Sequence, residues 1–212
     1  MKKIIIIMAM FGLLFNLSCN NVNAQSYEID DKKIEFYNGF IDSNEKEVFY
    51  GDKDVTEEFL NEHEDIINTK AYNKFVDFEK KGYVFGFARS LNYARSFEQR
   101  IKRYEYSGNG SAINYNNKNI TCQWIVHFLC KYNVNANTGK ISSVETPTLS
   151  LYYGTVSLFP GSVRLDNQSA SIKEKGSNYV KFSYKFTVRA DVQMGIEMKV
   201  LTFANRSGVE KL

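Results

Sequence analysis

Two histidines, His63 and His127, are the residues of this chain best suited to acid–base chemistry. His63 lies between two glutamates on a predicted helix, and no second ligand follows it at the spacing of a metal-binding motif. His127 falls on the polar face of a predicted strand, where a sheet could hold it as a general base. A lone surface histidine is the more common arrangement, so His127 is a candidate site residue and no metal site is predicted.

The sequence contains none of the short motifs that are typical of common enzyme classes. It has no GxSxG turn, no phosphate-binding GxxxxGK[ST] loop and no GxGxxG that opens a helix. Adjacent carboxylates such as Asp30–Asp31 and Glu57–Glu58 lie in polar segments typical of a solvated surface. We therefore predict a non-catalytic protein without a cofactor, and the alternative is a hydrolase that uses carboxylates or His127.

Four basic residues form the strongest candidate for a binding site. Lys181, Lys185 and Arg189 are spaced i, i+4 and i+8 along one predicted strand, so they line one face over about 26 Å. Arg164 could lie on a neighbouring strand. This stripe would suit an anionic ligand or an envelope protein. The alternative is an ordinary solvated sheet face, on which lysines also discourage edge pairing.

Two long stretches with a period of two predict the sheet that carries these residues. In Lys181–Gln193 every second residue is apolar, from Phe182 to Val192, and the residues between them are polar. Cys122–Val134 shows the same alternation. Because side chains alternate faces along a strand, each stretch predicts an antiparallel strand with one face on a core.

Cys122 and Cys130 both belong to the apolar face of their strand. Eight residues of strand separate them by about 26 Å, whereas bridged Cα atoms lie roughly 4.4–6.8 Å apart. We therefore predict two buried thiols that neither bond to each other nor bind a metal.

Helical spacing dominates the region before these strands. Asp54 and Glu57 form a capping-box pattern, and apolar residues then recur at helical intervals, so segment 54–105 is predicted to be helical. The glycine-containing stretch Ser107–Gly110 is predicted to break this region. A small hairpin is predicted around Asp166–Gln168.

Charge is divided unevenly along the chain. Residues 25–80 hold 16 acidic and 7 basic side chains, whereas residues 81–212 hold 8 acidic and 18 basic ones. The net charge of residues 25–212 is only +1, which does not favour nucleic-acid binding. The polar, acidic segment 25–53 is expected to contain no core residue, and it could lie against the basic sheet face and mask it.

The first 24 residues are typical of a secretory signal. Two lysines precede the 14-residue apolar run Ile4–Leu17, which is too short for an ordinary membrane span, and small residues end at Ala24. The alternative is a bacterial lipoprotein box with Cys19 as the lipidated residue. Either arrangement places the mature chain outside the cytoplasm, in the periplasm, at the outer-membrane surface or secreted, with no transmembrane helix in the mature chain.

These patterns together predict a single α+β domain over residues 25–212, and a content of 43% hydrophobic residues is enough for a core. The helical segment 54–105 would pack on an antiparallel sheet of five or six strands over residues 118–204. The alternative is a two-sheet β-sandwich with helices at one end. The predicted function is that of an exported bacterial envelope or secreted protein that binds a ligand or partner without catalysis.

Overall fold

The described helices all lie within residues 31–80, and the described elements after them are strands. The computed structural model describes residues 29–91, 99–115 and 118–212. The helices are α1 (Asp31–Asp42), α2 (Thr56–Glu62), α3 (Glu64–Asn68) and α4 (Tyr72–Lys80). The strands in these ranges are β1 (Lys46–Tyr50), β2 (Lys53–Asp54), β3 (Tyr83–Leu91), β4 (Gln99–Tyr115), β5 (Lys118–Val134), β6 (Ile141–Val144), β7 (Thr148–Val156), β8 (Gly161–Lys175), β9 (Val180–Met194) and β10 (Glu197–Lys211). None of the described helices is long and apolar enough to span a membrane.

The strands form two antiparallel sheets. The larger sheet has the order β2-β1-β3-β4-β5, and both β6 and β7 pair with the far edge of β5. The smaller sheet has the order β10-β9-β8. Mostly antiparallel strands joined to short helices make this an α+β fold with a curled larger sheet.

The first hydrophobic core lies between the two sheets. It contains the alternate residues of β9 from Phe182 to Val192, together with Trp124, Phe128 and their neighbours on the same face of β5. The apolar residues that alternate along these two strands therefore face each other in one shared core. Cys122 and Cys130 belong to this core as free, buried thiols.

The second core lies on the opposite face of the larger sheet, under the helices. Phe36, Tyr37 and Phe40 of α1 pack there against Phe85 and Phe87 of β3, among other residues. The molecule thus has three layers, in the order helices, larger sheet and smaller sheet. The predicted α+β fold with antiparallel strands is confirmed in this coarse form, but the helices are short and the strands are divided between two facing sheets, as in the sandwich alternative.

The predicted helical segment 54–105 extends too far. Helices end at Lys80, and strands occupy residues 83–91 and 99–115, while residues 92–98 lie outside the described ranges. The reason lies in β4, where Tyr104, Glu105 and Tyr106 are all buried. Because β4 is covered on both faces, Glu105 is buried between Tyr104 and Tyr106, although in the sequence the charged residues of this stretch resemble the exposed side of a helix.

Two predicted breaks are also wrong. Ser107–Gly110 lies inside β4, where a side chain at Gly108 would come within 2.5 Å of the ring of Trp124. Residues 166–168 lie inside β8 rather than in a hairpin turn. The strand pairing shifts register there, and Asn167 adopts a positive φ of 49°, which asparagine tolerates.

The acidic segment 25–53 is part of the fold rather than a polar appendage. From residue 29 onwards it contains α1 and β1, and it supplies Phe36, Tyr37 and Phe40 to the second core. Gly39 lies inside α1, where a side chain would come within 2.5 Å of the Phe87 ring. Glycine is therefore needed here for the close approach of α1 to the sheet.

Candidate functional site

The predicted basic stripe lies on the outer face of the smaller sheet. Lys181, Lys185 and Arg189 project from β9 away from the first core, and Arg164 of β8 is the cross-strand partner of Arg189. The structure therefore brings these four residues onto one face. His127 lies elsewhere, on the larger sheet.

Carboxylates on the same sheet pair with most of this stripe. Lys181 Nζ lies 2.7 Å from Glu174, and Asp166 lies 3.1 Å from Arg189 and 3.0 Å from Arg164. Arg164 also pairs with Asp191. Hydrogen bonds from Arg164, above all, hold the pKa of Asp166 below its usual value. Three carboxylates thus offset four cations, which leaves little attraction for an anionic partner.

A second polar cluster surrounds His127 on the helix-covered face of the larger sheet. Glu105 is its centre: Arg89 Nε and Arg103 Nη2 lie 3.0 Å and 2.9 Å from Glu105 Oε1, and His127 Nε2 lies 3.4 Å from Glu105 Oε2. Tyr152 stacks on the His127 ring, with centroids 4.4 Å apart. We call these five residues the arginine–histidine cluster.

Strand register explains why these side chains meet. Arg89 pairs with Arg103 across β3 and β4, and Glu105 pairs with His127 across β4 and β5. Directly paired residues of antiparallel strands project from the same face with Cβ atoms about 4.5–5.5 Å apart. Three neighbouring strands therefore supply these polar groups to one face of the sheet.

A β-bulge places Tyr152 on the same face of the sheet, beside His127. Ile125 and Val126 are adjacent on β5, but their partners on β7 are Tyr153 and Leu151, so Tyr152 is the extra residue. Tyr153 packs against the core under the helices, and the bulge turns Tyr152 to the same side. Bulges often redirect one side chain in this way next to functional sites.

The environment of Glu105 keeps it ionised. Burial raises the pKa of this carboxyl, but the adjacent His127 and the charges of Arg103 and Arg89 outweigh burial and bring its pKa below the usual value. The Glu105 side chain is only 5% exposed, whereas the Arg89 and Arg103 side chains are 33% and 24% exposed. Two accessible guanidinium groups therefore share one buried negative charge.

A surface groove of about 390 Å³ runs beside this cluster, between α1 and β3. Arg89 lines the groove, and so do Glu35 and Asp42 of α1. Glu35 also accepts a hydrogen bond from the Tyr152 hydroxyl at 3.2 Å. The groove is thus acidic on the helix side and basic on the sheet side.

The cluster also places a hydroxyl next to His127. Ser150 of β7 is exposed and is the cross-strand partner of His127, so Glu105, His127 and Ser150 form a row over three strands. The carboxylate faces Nε2 of the imidazole. The other ring nitrogen, Nδ1, is then the one that could serve Ser150 or a ligand.

A third cluster has the residue types of a serine–lysine hydrolase but no access to substrate. Lys33 Nζ donates to Glu79 Oε2 at 2.8 Å and to Ser107 Oγ at 2.6 Å, and Ser107 donates to Glu79 Oε1 at 2.6 Å. Burial lowers the pKa of Lys33, and Glu79 opposes this effect. All three side chains are fully buried, so the cluster joins α1 and α4 to β4.

Sequence reasoning found His127 but missed its partners. Arg103 and Glu105 fall at the end of segment 54–105, which the sequence predicts to be helical. The available signal was the order Arg103-Tyr104-Glu105-Tyr106, in which aromatic and charged residues alternate. Among residues 29–91, 99–115 and 118–212, no group of three or more His, Cys, Asp or Glu side chains is placed to hold a metal ion. Comparison of the chain with protein-family models, curated proteins and solved structures gave no match.

Proposed function

We propose that this protein is a non-catalytic binding module that works outside the cytoplasm, in a bacterial envelope or after secretion, and that its arginine–histidine cluster binds a small anionic ligand. The observation that carries the ligand proposal is the convergence of Arg89, Arg103 and His127 on the single carboxylate of Glu105. The extracytoplasmic location rests on the composition of residues 1–24.

The charge balance favours this cluster over the basic stripe on the smaller sheet. Arg89 and Arg103 carry two positive charges against one on Glu105, and both guanidiniums reach solvent. Guanidinium groups bind carboxylates and phosphates through paired, charge-assisted hydrogen bonds. Because Glu35 and Asp42 line the helix side of the groove, we place the anionic group of the ligand on the sheet side, over Arg103 and His127.

Titration calorimetry with inorganic phosphate and with acetate tests the ligand proposal. Arg103→Gln should weaken anion binding about tenfold or more, because it removes one charge-assisted donor, while Arg89 stays 3.0 Å from Glu105 as a counter-charge. Arg164→Gln, on the opposite side of the molecule, is the matched control and should change the affinity less than about twofold. Equal affinities in the parent and Arg103→Gln proteins would refute this site.

A secreted hydrolase is the second candidate function, and the row of Glu105, His127 and Ser150 is the observation that favours it. A carboxylate that orients an imidazole beside a hydroxyl can activate that hydroxyl as a nucleophile. A fluorophosphonate probe would then label Ser150: the serine oxygen bonds to phosphorus, fluoride leaves, and the proton passes to His127.

Labelling followed by mass spectrometry distinguishes this candidate from a binding module. A hydrolase should be labelled at Ser150, lose the label in Ser150→Ala and His127→Ala, and keep it in Ser171→Ala, which removes an exposed serine from β8. A parent protein that remains unlabelled excludes the serine hydrolase and leaves the binding function as proposed.

A further inference from the structure

A separate cavity lies between the two sheets, at the end where β3, β4 and β10 meet the turn between β1 and β2. Its volume is about 170 Å³. Tyr83, Val84, Trp124 and Phe203 form much of its wall, and exposed residues such as Asp52 lie at its mouth. A cavity of roughly 150 Å³ in another protein accepts benzene, so this one has room for a small molecule.

Two glycines of β4 shape this cavity. At Gly108 a side chain would come within 2.5 Å of the indole ring of Trp124, and at Gly110 it would overlap the backbone of Phe203. Glycine therefore lets the indole lie directly on β4 and lets β10 approach the same strand. This is a physical role for the Ser107–Gly110 stretch, which sequence analysis took for a break.

Two buried hydrogen-bond donors on the cavity wall have no partner among the described residues. They are Trp124 Nε1 and Arg206 Nε. Trp124 is 1% exposed and Arg206 is 7% exposed, so bulk water does not satisfy either side chain freely. Native proteins leave few buried donors unpaired, and such donors often mark the position of a bound molecule or an ordered water.

Neighbouring charges indicate what kind of molecule would fit. Arg206 lies 3.6 Å from the centroid of the Phe49 ring, close to the paired carboxyls of Glu47 and Glu210. Burial, and then the Glu210 carboxylate, raise the pKa of Glu47 to about 8. The charge of Arg206 is therefore already offset by carboxyls that lie beside it. A carboxylate ligand would bring an uncompensated charge into the site, whereas a neutral ligand would not.

We propose that this cavity binds a small, neutral, mainly apolar molecule whose carbonyl or hydroxyl oxygen accepts hydrogen bonds from Trp124 Nε1 and Arg206 Nε. The apolar part of the ligand lies against Val84 and Phe203. A five- or six-membered carbon ring with one oxygen substituent has the right size and polarity. This site is independent of the arginine–histidine cluster, so either proposal can fail alone.

The indole N–H of Trp124 reports binding directly. Trp124 is the only tryptophan, so ¹⁵N-labelled protein gives a single indole signal in a heteronuclear correlation spectrum. Cyclohexanone should shift this signal in a saturable way, because the ketone oxygen accepts its proton. Cyclohexanecarboxylate should bind about tenfold more weakly or worse, because of its charge, and cyclohexane should produce a smaller shift because it has no acceptor.

Two variants on β10 complete the test. Arg206→Lys should weaken cyclohexanone binding about tenfold or more, whereas Ser207→Ala, on the exposed neighbouring residue, should leave it unchanged. If Arg206→Lys fails to fold, the comparison of the three ligands on the unaltered protein still tests whether the cavity prefers a neutral ligand with an acceptor oxygen. A shift that never saturates would mean that the cavity holds water only. An equal affinity for the ketone and the carboxylate would mean that the site does not select a neutral ligand, and either result would overturn the proposal.

Discussion

Phe186 and Lys185 are neighbours on β9 but meet opposite environments. Phe186 is completely buried between the sheets, where it packs against Trp124, and Lys185 is exposed. Phe186→Ala should lower the free energy of unfolding by about 3–5 kcal/mol, because it leaves a cavity in a close-packed core. Lys185→Ala should change it by no more than about 0.5 kcal/mol. Urea denaturation measures both, and equal losses would contradict the strand's one-sided burial.

Glu47 is the residue whose protonation should matter most for stability near neutral pH. Burial and the facing Glu210 carboxylate raise its pKa to about 8, Arg206 lowers it, and Asp54 adds a small rise. Tyr106 also faces this pair and donates a hydrogen bond to Glu210. The folded state therefore holds the Glu47 proton more tightly than the unfolded chain does. This contribution to stability is complete below about pH 4.5 and is lost as the pH rises to about 8.

Glu47→Gln should remove that pH dependence. Relative to the parent, the variant should gain on the order of 1–3 kcal/mol in unfolding free energy between pH 5 and pH 9. Urea denaturation at several pH values measures this change. Glu45→Gln is the control, because Glu45 is exposed and should leave the slope in place. A Glu47→Gln protein with the parent's slope would show that Glu47 ionises normally.

At the scale of elements, the buried Lys33–Glu79 pair connects two helices to the larger sheet. Lys33 belongs to α1, Glu79 to α4 and their shared partner Ser107 to β4. Lys33→Met should cost about 3–5 kcal/mol, because it leaves the Glu79 carboxylate buried without a counter-charge. Adding Glu79→Leu should recover most of the loss. Lys74→Met, at an exposed position of α4, should have little effect.

Urea denaturation of the parent and of the three variants measures how much the buried pair contributes to the free energy of unfolding. The double variant should be clearly more stable than Lys33→Met alone, because burial of two apolar groups is less costly than burial of one unpaired charge. A double variant that is less stable than Lys33→Met would mean that Ser107 and the remaining polar neighbours depend on the carboxylate itself.

The same elements show which strands and helices can be predicted from the sequence. β9 and the apolar face of β5 were predictable because one face of each strand carries only apolar residues. β4 was not, because Glu105 and Ser107 occupy its second face and are buried by partners far away in the chain. α1 was not predicted, because its polar and acidic composition is typical of a solvated segment. Lys33 in particular resembles a surface residue, and only the structure shows that it is buried against Glu79.

The candidate site was predictable only in part for a related reason. His127 stood out as one of two histidines, but its function depends on cross-strand neighbours that only register reveals. Tyr152 depends on a single extra residue in β7, which no local pattern indicates. The residues of the basic stripe lie on one face, and the carboxylates that pair with them lie mostly on the next strand, where the spacing along β9 gives no sign of them.

At the scale of the whole molecule, the uneven charge distribution follows the layers. The acidic first part of the chain forms the helical layer on one side of the larger sheet, and the basic stripe lies on the outer face of the smaller sheet. These surfaces are on opposite sides of the molecule, so the acidic segment does not mask the stripe, contrary to the expectation from sequence. Deleting residues 25–53 would instead remove Phe36, Tyr37 and Phe40 from the second core.

Export is the remaining whole-molecule prediction, and residues 1–24 lie outside the described ranges. Cleavage after Ala24 would leave a mature chain that begins at Gln25 and keeps every described helix and strand, because these start at Asp31. Intact-mass measurement of the envelope and secreted fractions should show this species. Cys19→Ser should leave processing unchanged, whereas Ala24→Leu should slow it, since signal peptidase needs a small residue there. An acylated species that begins at Cys19, and that is lost in Cys19→Ser, would establish the lipoprotein alternative instead.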